Sequence, residues 1–223
     1  MEYHKIETLY NRLPDFSVGS ELRNPVYGAF KTWHVTEKID GTNIRITLTE
    51  DGEVALGGRT DAAQIPADLI QYLHDTFTPE KMQAAMWIPD AEGKVAPVKA
   101  VLYGEGYGAG IQKGGGLYRP DKAFRLFDVL VSDQWWLDWK NVEDVAAKLS
   151  IKTAPYLGDF TLEQIIDMVK VGMPSVVSVE DSGQERMSEG IIGRTIEPLF
   201  DRRGKRIILK LKTSDFKPGT KQA

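Results

Sequence analysis

The 223-residue chain contains no cysteine. Disulfides, thiolate nucleophiles and zinc–thiolate centres are therefore excluded. Histidine is scarce: His4, His34 and His74 are scattered, and no two stand at metal-ligand spacing. No apolar run approaches the roughly 20 residues that span a bilayer, and nothing resembles a signal peptide. A cytoplasmic protein with no membrane partner is expected. Internal repeats and low-complexity tracts are also missing. So is an excess of positive charge, because the formal net charge is −4, unlike a polycation that coats nucleic acid everywhere.

What is present suits a globular protein. The chain is 42% hydrophobic and 27% charged, which supports a compact core. Periodicity predicts strands at 33–38, 43–49, 53–57, 98–103, 124–131, 190–194 and 206–211. Helices are predicted at 67–76, 79–87, 142–149 and 162–171. Strands and helices mix without a βαβ alternation, so the expected class is α+β with a largely antiparallel sheet. Trp135, Trp136 and Trp139 read as packing residues. The region 181–187 reads as a polar loop. Charge is uneven: RRGKRIILKLKTSDFK, residues 202–217, holds seven lysines or arginines. A local basic surface on an acidic protein suits phosphate binding in one place.

Several short constellations carry more chemistry than their local structure needs. In VTEKIDGTNIRITLTEDGEVALGGRT, residues 35–60, two β-rich runs flank an Asp51-Gly52 turn in ordinary hairpin grammar. Lys38, Asp40 and Gly41 at its entrance are not required by a hairpin. The stretch YGEGYGAGIQKGGG, residues 103–116, fails the dinucleotide fingerprint because Ile111 stands where the third glycine belongs. It fails the P-loop pattern because no Gly-Lys-Ser/Thr ends it. It leaves Glu105 between Gly104 and Gly106 at the end of an apolar strand, where a carboxylate can reach a ligand hydroxyl. Asp128 follows Phe127 inside another apolar strand, and Glu189 directly precedes the strand 190–194. Lys210 and Lys212, two residues apart, share one strand face, with Leu209 and Leu211 on the other. Such lysines are ordinarily solvated. Opposite carboxylates and a third lysine they make a phosphate cradle.

Taken in order, Lys38-Ile39-Asp40-Gly41-Thr42-Asn43, Gly58-Arg59, Gly104-Glu105, Phe127-Asp128-Val129, Glu189-Gly190-Ile191-Ile192-Gly193-Arg194 and Lys210-Leu211-Lys212 resemble the covalent nucleotidyltransferase superfamily. Its members are polynucleotide ligases and messenger RNA capping enzymes. Thr42-Asn43, with Ile6-Glu7-Thr8 and Tyr10-Asn11-Arg12, is most similar to the RNA ligase 2 group. The resemblance implies an α+β, ATP-grasp-like adenylation domain, with antiparallel sheets flanked by helices. It is expected as a single domain over 1–223 with no C-terminal OB domain, because 223 − 212 = 11 residues follow Lys212. The implied activity is ATP-dependent RNA ligation. A 5′-phosphate and a 3′-hydroxyl are sealed through lysyl-AMP and adenylylated RNA, with ATP and Mg²⁺ or Mn²⁺ as cofactors and RNA as partner of a monomer.

By position the resemblance makes Lys38 the nucleophile. Arg59 and Glu105 would hold the ribose, Phe127 would stack on adenine and Glu37 would meet the adenine edge. Asp40 and Glu189 would position the metal, Lys210 and Lys212 would grip phosphate, and Asn43 would help bind the acceptor-end phosphate. The residue types agree with this. At pH 7 an ordinary lysine is neutral in only about one molecule in 2,500, and only the neutral amine attacks. Neighbouring cations favour that form, whereas acidic neighbours oppose it unless a divalent ion offsets them. Residues 142–184 read as a scaffold insert, and 106–116 with Lys113 as a segment for closing over nucleotide or touching a nucleic-acid backbone. A DNA ligase, a GTP-dependent capping guanylyltransferase and a noncatalytic nucleotide- or RNA-binding domain of the same fold are the alternatives.

Overall fold

The computed structural model describes residues 1–14 and 18–216. Lys217, the last cation of the basic run, lies outside the described residues. The strands in chain order are β1 (Glu7–Thr8), β2 (Tyr10–Arg12), β3 (Val18–Leu22), β4 (Trp33–Lys38), β5 (Thr42–Leu48), β6 (Val54–Gly58), β7 (Ala100–Gly108), β8 (Lys122–Val131), β9 (Trp135–Trp136), β10 (Lys152–Thr153), β11 (Tyr156–Phe160), β12 (Gly190–Arg194) and β13 (Ile208–Lys212). The helices are α1 (Ala67–Thr76), α2 (Pro79–Met86), α3 (Trp139–Lys148), α4 (Leu162–Val171) and α5 (Val176–Ser182). The expected α+β class with antiparallel sheets is observed. Two pairings, β1 with β13 and β10 with β8, are parallel.

The chain divides into two compact units, and it passes between them at His4-Lys5, Ile39-Asp40 and Ala154-Pro155. The first unit, Met1–His4 with Asp40–Ala154, holds the sheet β10-β8-β7-β5-β6, with β9 against β8. On one face of this sheet Leu69, Leu73, Phe77, Phe124 and Leu126 are buried. Residues of β7 alternate across it. Gly104 and Gly106 turn toward Phe124 and Leu69, so Tyr103, Glu105 and Tyr107 take the opposite face. The strand runs on to Gly108, five residues past the expected end. Glu105 therefore sits within a strand rather than at its tip, and its flanking glycines admit the packing of Phe124 and Leu69. Trp136 joins the rings of Tyr3, His4 and Tyr103, and Trp139 is buried, whereas Trp135 is 69% exposed.

The second unit, Lys5–Ile39 with the residues from Pro155 onward, holds the sheet β1-β13-β12-β4-β11. Its core is Leu9, Tyr27, Trp33, Val35, Ile165, Val169, Ile191, Leu209 and Leu211. Burying those side chains favours this face of the sheet by about 1.5–3 kcal/mol each. Helix α4 begins at a reciprocal Thr161–Gln164 capping box. It lays Ile165 and Val169, one turn apart, on the sheet. The presumed insert thus has two duties in the second unit: β11 extends the sheet beside β4, and α4 covers its core. Its first part, α3, belongs to the first unit. Helix α5 was not foreseen; only its last two residues, Asp181 and Ser182, fall in the stretch 181–187 read as a polar loop.

Candidate active site

In the second unit, β12 lies between β4 and β13, and one register line crosses all three: Gly190 pairs with Lys38 on one side and with Lys212 on the other. Gly190 has φ +151°, and a Cβ there would run into the Leu211 carbonyl, so β12 starts with a residue that has none. Glu189, one position earlier, reaches both flanking lysines. Lys38 Nζ donates to Glu189 Oε2 at 2.5 Å, and Lys212 Nζ lies 2.6 Å from Glu189 Oε1. The result is a Lys–Glu–Lys chain whose side chains are all less than a quarter exposed.

Lys210 takes the same face as Lys212, while Leu209 and Leu211 are fully buried on the other. The alternation expected for β13 is observed. Burial is the largest influence on Lys210 and pushes its pKa down. Repulsion from Lys212, Lys38 and Lys5 pushes the same way, against the pull of Glu189. Burial would raise the pKa of Glu189, but together Lys38 and Lys212 hold it below the ordinary carboxylate value. Lys5 is a cation that sequence reading passed over. It precedes β1, which pairs with β13, and no motif marks it.

The support beneath Lys212 is equally specific. Asp215, whose side chain is 1% exposed, accepts the Lys212 backbone N–H at 2.9 Å on one oxygen and pairs with Arg12 on the other. Thr213 N–H donates to the Glu189 carbonyl at 2.9 Å. The central Glu189 and the Lys212 end of the ion chain are thereby tied through the backbone. Arg12 stood in a stretch singled out for resemblance, while Asp215 gave no signal beyond its spacing from Lys212.

Glu37 does not join this group. It neighbours Lys38 on β4 and so takes the opposite face. There it is 1% exposed and accepts from Ser175 Oγ at 2.5 Å, Val176 N–H at 2.8 Å and Val177 N–H at 3.2 Å. It anchors the first turn of α5, where the unsatisfied N–H groups of a helix lie.

The remaining candidates belong to the first unit. Gly41 of the Lys38–Asn43 motif lies so close to β7 that a Cβ would strike the Gly106 carbonyl and the Glu105 side chain. Asp40 N–H donates to Tyr118 Oη at 3.1 Å, and Gln112 Nε2 donates to the Gly41 carbonyl at 2.9 Å. The glycine-rich segment is thereby tied to the motif, with Lys113 exposed upon it. Asn43 pairs with Glu105 across β5 and β7, so both side chains share a face. Arg59, exposed, directly follows Gly58, which pairs with Ile44 at the end of the β5–β6 ladder. Phe127 occupies the irregularity where the β7–β8 register shifts, and its ring meets Tyr3 edge-on at 5.1 Å. Among the described residues no three of His, Cys, Asp or Glu cluster as metal ligands.

A family model for RNA ligases matches residues 31–212. The chain belongs to the RNA ligase family. Three solved structures, all of Naegleria gruberi RNA ligase, are similar to it. One mutant with ATP and Mn aligns with TM-score 0.65 and 20% identity over 95% of this chain and 56% of its own. Another mutant with ATP and Mn gives TM-score 0.60 and 21% identity over 83% and 50%. The enzyme with PPi gives 0.61 and 20% over 95% and 60%. At these identities the likeness is one of fold. The chain spans between 50 and 60% of the length of these relatives.

Proposed function

We propose that this RNA ligase family member is an ATP-dependent RNA ligase that seals 5′-phosphate to 3′-hydroxyl ends, with Lys38 as the residue that carries AMP. The observation that supports this best is the Lys38–Glu189–Lys212 chain with Lys210 beside it. Pure binding of phosphate needs cations, whereas it does not need one of them held at the end of a strand by a shared carboxylate.

In this reading Lys210 and Lys212 grip the phosphates of ATP, and their charge favours an anionic group arriving beside Lys38. The Lys38 amine, once deprotonated, attacks the α-phosphorus. The bond to the β-phosphate oxygen breaks and pyrophosphate leaves. Glu189 holds Lys38 in place but favours its charged form, so Lys38 must leave this carboxylate before attack. Asn43, Arg59, Glu105 and Phe127 on the first unit's sheet retain their expected roles toward acceptor phosphate, ribose and adenine. Glu37 is committed to α5.

A single carboxylate flanked by ammonium groups fits Mg²⁺ or Mn²⁺ held largely by water and phosphate oxygens rather than by a protein cage. In the second unit Glu189 is the carboxylate offered for it. When bound, the ion would stabilise charge on the transferred phosphoryl oxygens.

Intact-mass measurement after incubation with ATP and Mg²⁺ tests the reading. The expected result is one added AMP on the wild type and none on Lys38→Ala; normal loading of that variant refutes the assignment. GTP in place of ATP separates ligation from capping. Competition among nicked duplex RNA, single-stranded RNA and DNA separates the acceptors.

A further inference from the structure

The basic run that reads as one feature in sequence is two features in space. Lys210 and Lys212 belong to the ion chain. Arg202, Arg203 and Lys205 lie at the far end of the same strand pair, on the excursion that joins Arg194 of β12 to Ile208 of β13. That excursion is built. Thr195 Oγ donates to the Glu197 carbonyl at 2.5 Å and accepts from Leu199 N–H at 3.3 Å. Ile207 N–H donates to the Leu199 carbonyl at 2.8 Å, and Phe200 bridges Arg206. Asp201 closes the tip: its Oδ1 accepts from Arg203 N–H at 2.8 Å and Lys205 N–H at 3.0 Å.

Two acids, Glu197 and Asp201, stand against four cations here, and the Asp201 carboxylate is committed to backbone. Arg202, Arg203 and Lys205 are exposed. Beside them Ile196, Leu199 and Phe200 are 55%, 44% and 47% exposed. Arginines and a lysine next to an exposed ring, on a chain of net charge −4, match a polyanion that also offers flat apolar faces. Nucleic acid is such a ligand.

We infer that this hairpin, residues 195–207, is a second RNA-binding surface that grips the substrate strand away from the sealed ends. The inference rests on the ligase reading for the identity of its ligand. Spacing gives it a length. Four residues of strand from Lys212 to Ile208 cover about 13 Å, and the tip extends further. An A-form RNA strand rises less per nucleotide than the roughly 3.4 Å of B-DNA, so the hairpin meets the backbone about four or more nucleotides from the reacting end. The three cations supply sequence-independent grip, and Phe200 adds apolar contact to a sugar or an unpaired base.

The test is direct binding of a nicked 24-base-pair RNA duplex, followed by fluorescence anisotropy between 50 and 200 mM salt without ATP. R202Q/R203Q/K205Q should weaken binding about tenfold or more and lower the salt slope by about 2–3, since each phosphate contact contributes about 0.7–0.9. Loading of AMP on Lys38, read by intact mass, should be unchanged. Equal affinity and slope for the 24-base-pair duplex would overturn the proposal. So would polyglutamate binding as tightly as RNA with the same loss in the variant, because that would assign the surface to an acidic protein. Failure of Lys38 to take AMP would sink the ligase reading and leave the anisotropy result to decide the hairpin independently.

Discussion

The two ends of the β12–β13 pair use the same kinds of residue to opposite effect. At the Glu189 end, two ammonium groups share one carboxylate within 2.6 Å, beneath partly buried side chains and over an Asp215–Arg12 support. At the hairpin end, three cations face solvent and the nearest acid holds the turn through backbone N–H groups. Lysine and arginine identity does not distinguish these ends. What distinguishes them is whether a carboxylate is held within bonding distance by a neighbouring strand. The first end carries its charges as part of the fold, and the second displays them.

Removing the shared carboxylate should break the comparison most severely. Glu189→Gln leaves Lys38 and Lys212 facing each other without a counter-charge, an arrangement that costs about 1–3 kcal/mol at this partial burial. For a chain of this size that lowers the melting midpoint by about 2–12 °C. Millimolar pyrophosphate should restore much of the loss by binding the folded state. An unchanged midpoint would show that the ion chain is not part of the stable fold. Next in size is Asp215→Asn. It removes the charge that holds Arg12 and weakens the bond to the Lys212 N–H, for an expected loss of about 1–2 kcal/mol in urea unfolding. If the ligase reading holds, pyrophosphate affinity falls with it, because Lys212 loses its backbone support. Destabilisation with unaltered pyrophosphate binding would limit Asp215 to a structural role.

How much of this was visible in sequence follows from the range of the interactions. The boundaries of α1, α4 and β4 match the expected 67–76, 162–171 and 33–38, because hydrophobic periodicity and caps are local. The face assignment of Lys210 and Lys212 follows from the two-residue strand period. The Lys38–Glu189 contact spans 151 residues, and only the family-like order of motifs brought the two together in advance. Glu37 shows the opposite case. Proximity in sequence to Lys38 suggested a shared site, yet strand alternation turns it to the other face and into the first turn of α5. That helix was hidden because it is only seven residues long and three of them are valines, whose branched side chains favour strands.

The same contrast runs along β4. Lys38 marks the ion-chain end, whereas His34 pairs in register with Arg194 at the hairpin end. His34 stacks on Tyr156 at 4.3 Å, and its Nδ1 lies 3.3 Å from Asp159. Burial is the main reason its pKa falls to about 4; Arg194 adds to the fall and Asp159 opposes it. The folded state therefore binds fewer protons than the unfolded chain between about pH 4 and 6.5. Stability is fully present above that window and is lost as pH falls through it. A loss of about 1–3 kcal/mol is expected between pH 7 and 4. His34→Gln should flatten that part of a stability–pH profile; an unaltered profile would assign acid sensitivity to other groups.

The smallest expected effect is the sharpest test of the contrast. R202Q/R203Q/K205Q removes three charges from the hairpin, and its unfolding free energy should stay within about 0.5 kcal/mol of wild type. The reason is local: none of these side chains forms an ion pair with a carboxylate among the described residues, and the turn is held by Asp201 through main-chain groups that the substitutions leave alone. Relief of repulsion among three neighbouring cations pushes slightly toward greater stability, and loss of their attraction to Asp201 pushes slightly against it. Both are surface interactions weakened by water and salt. Urea denaturation at 20 and 200 mM salt should therefore give nearly coincident curves for the two proteins. A destabilisation matching that of Glu189→Gln would mean that the hairpin charges are structural, and the division between a built-in and a displayed set of cations would fail.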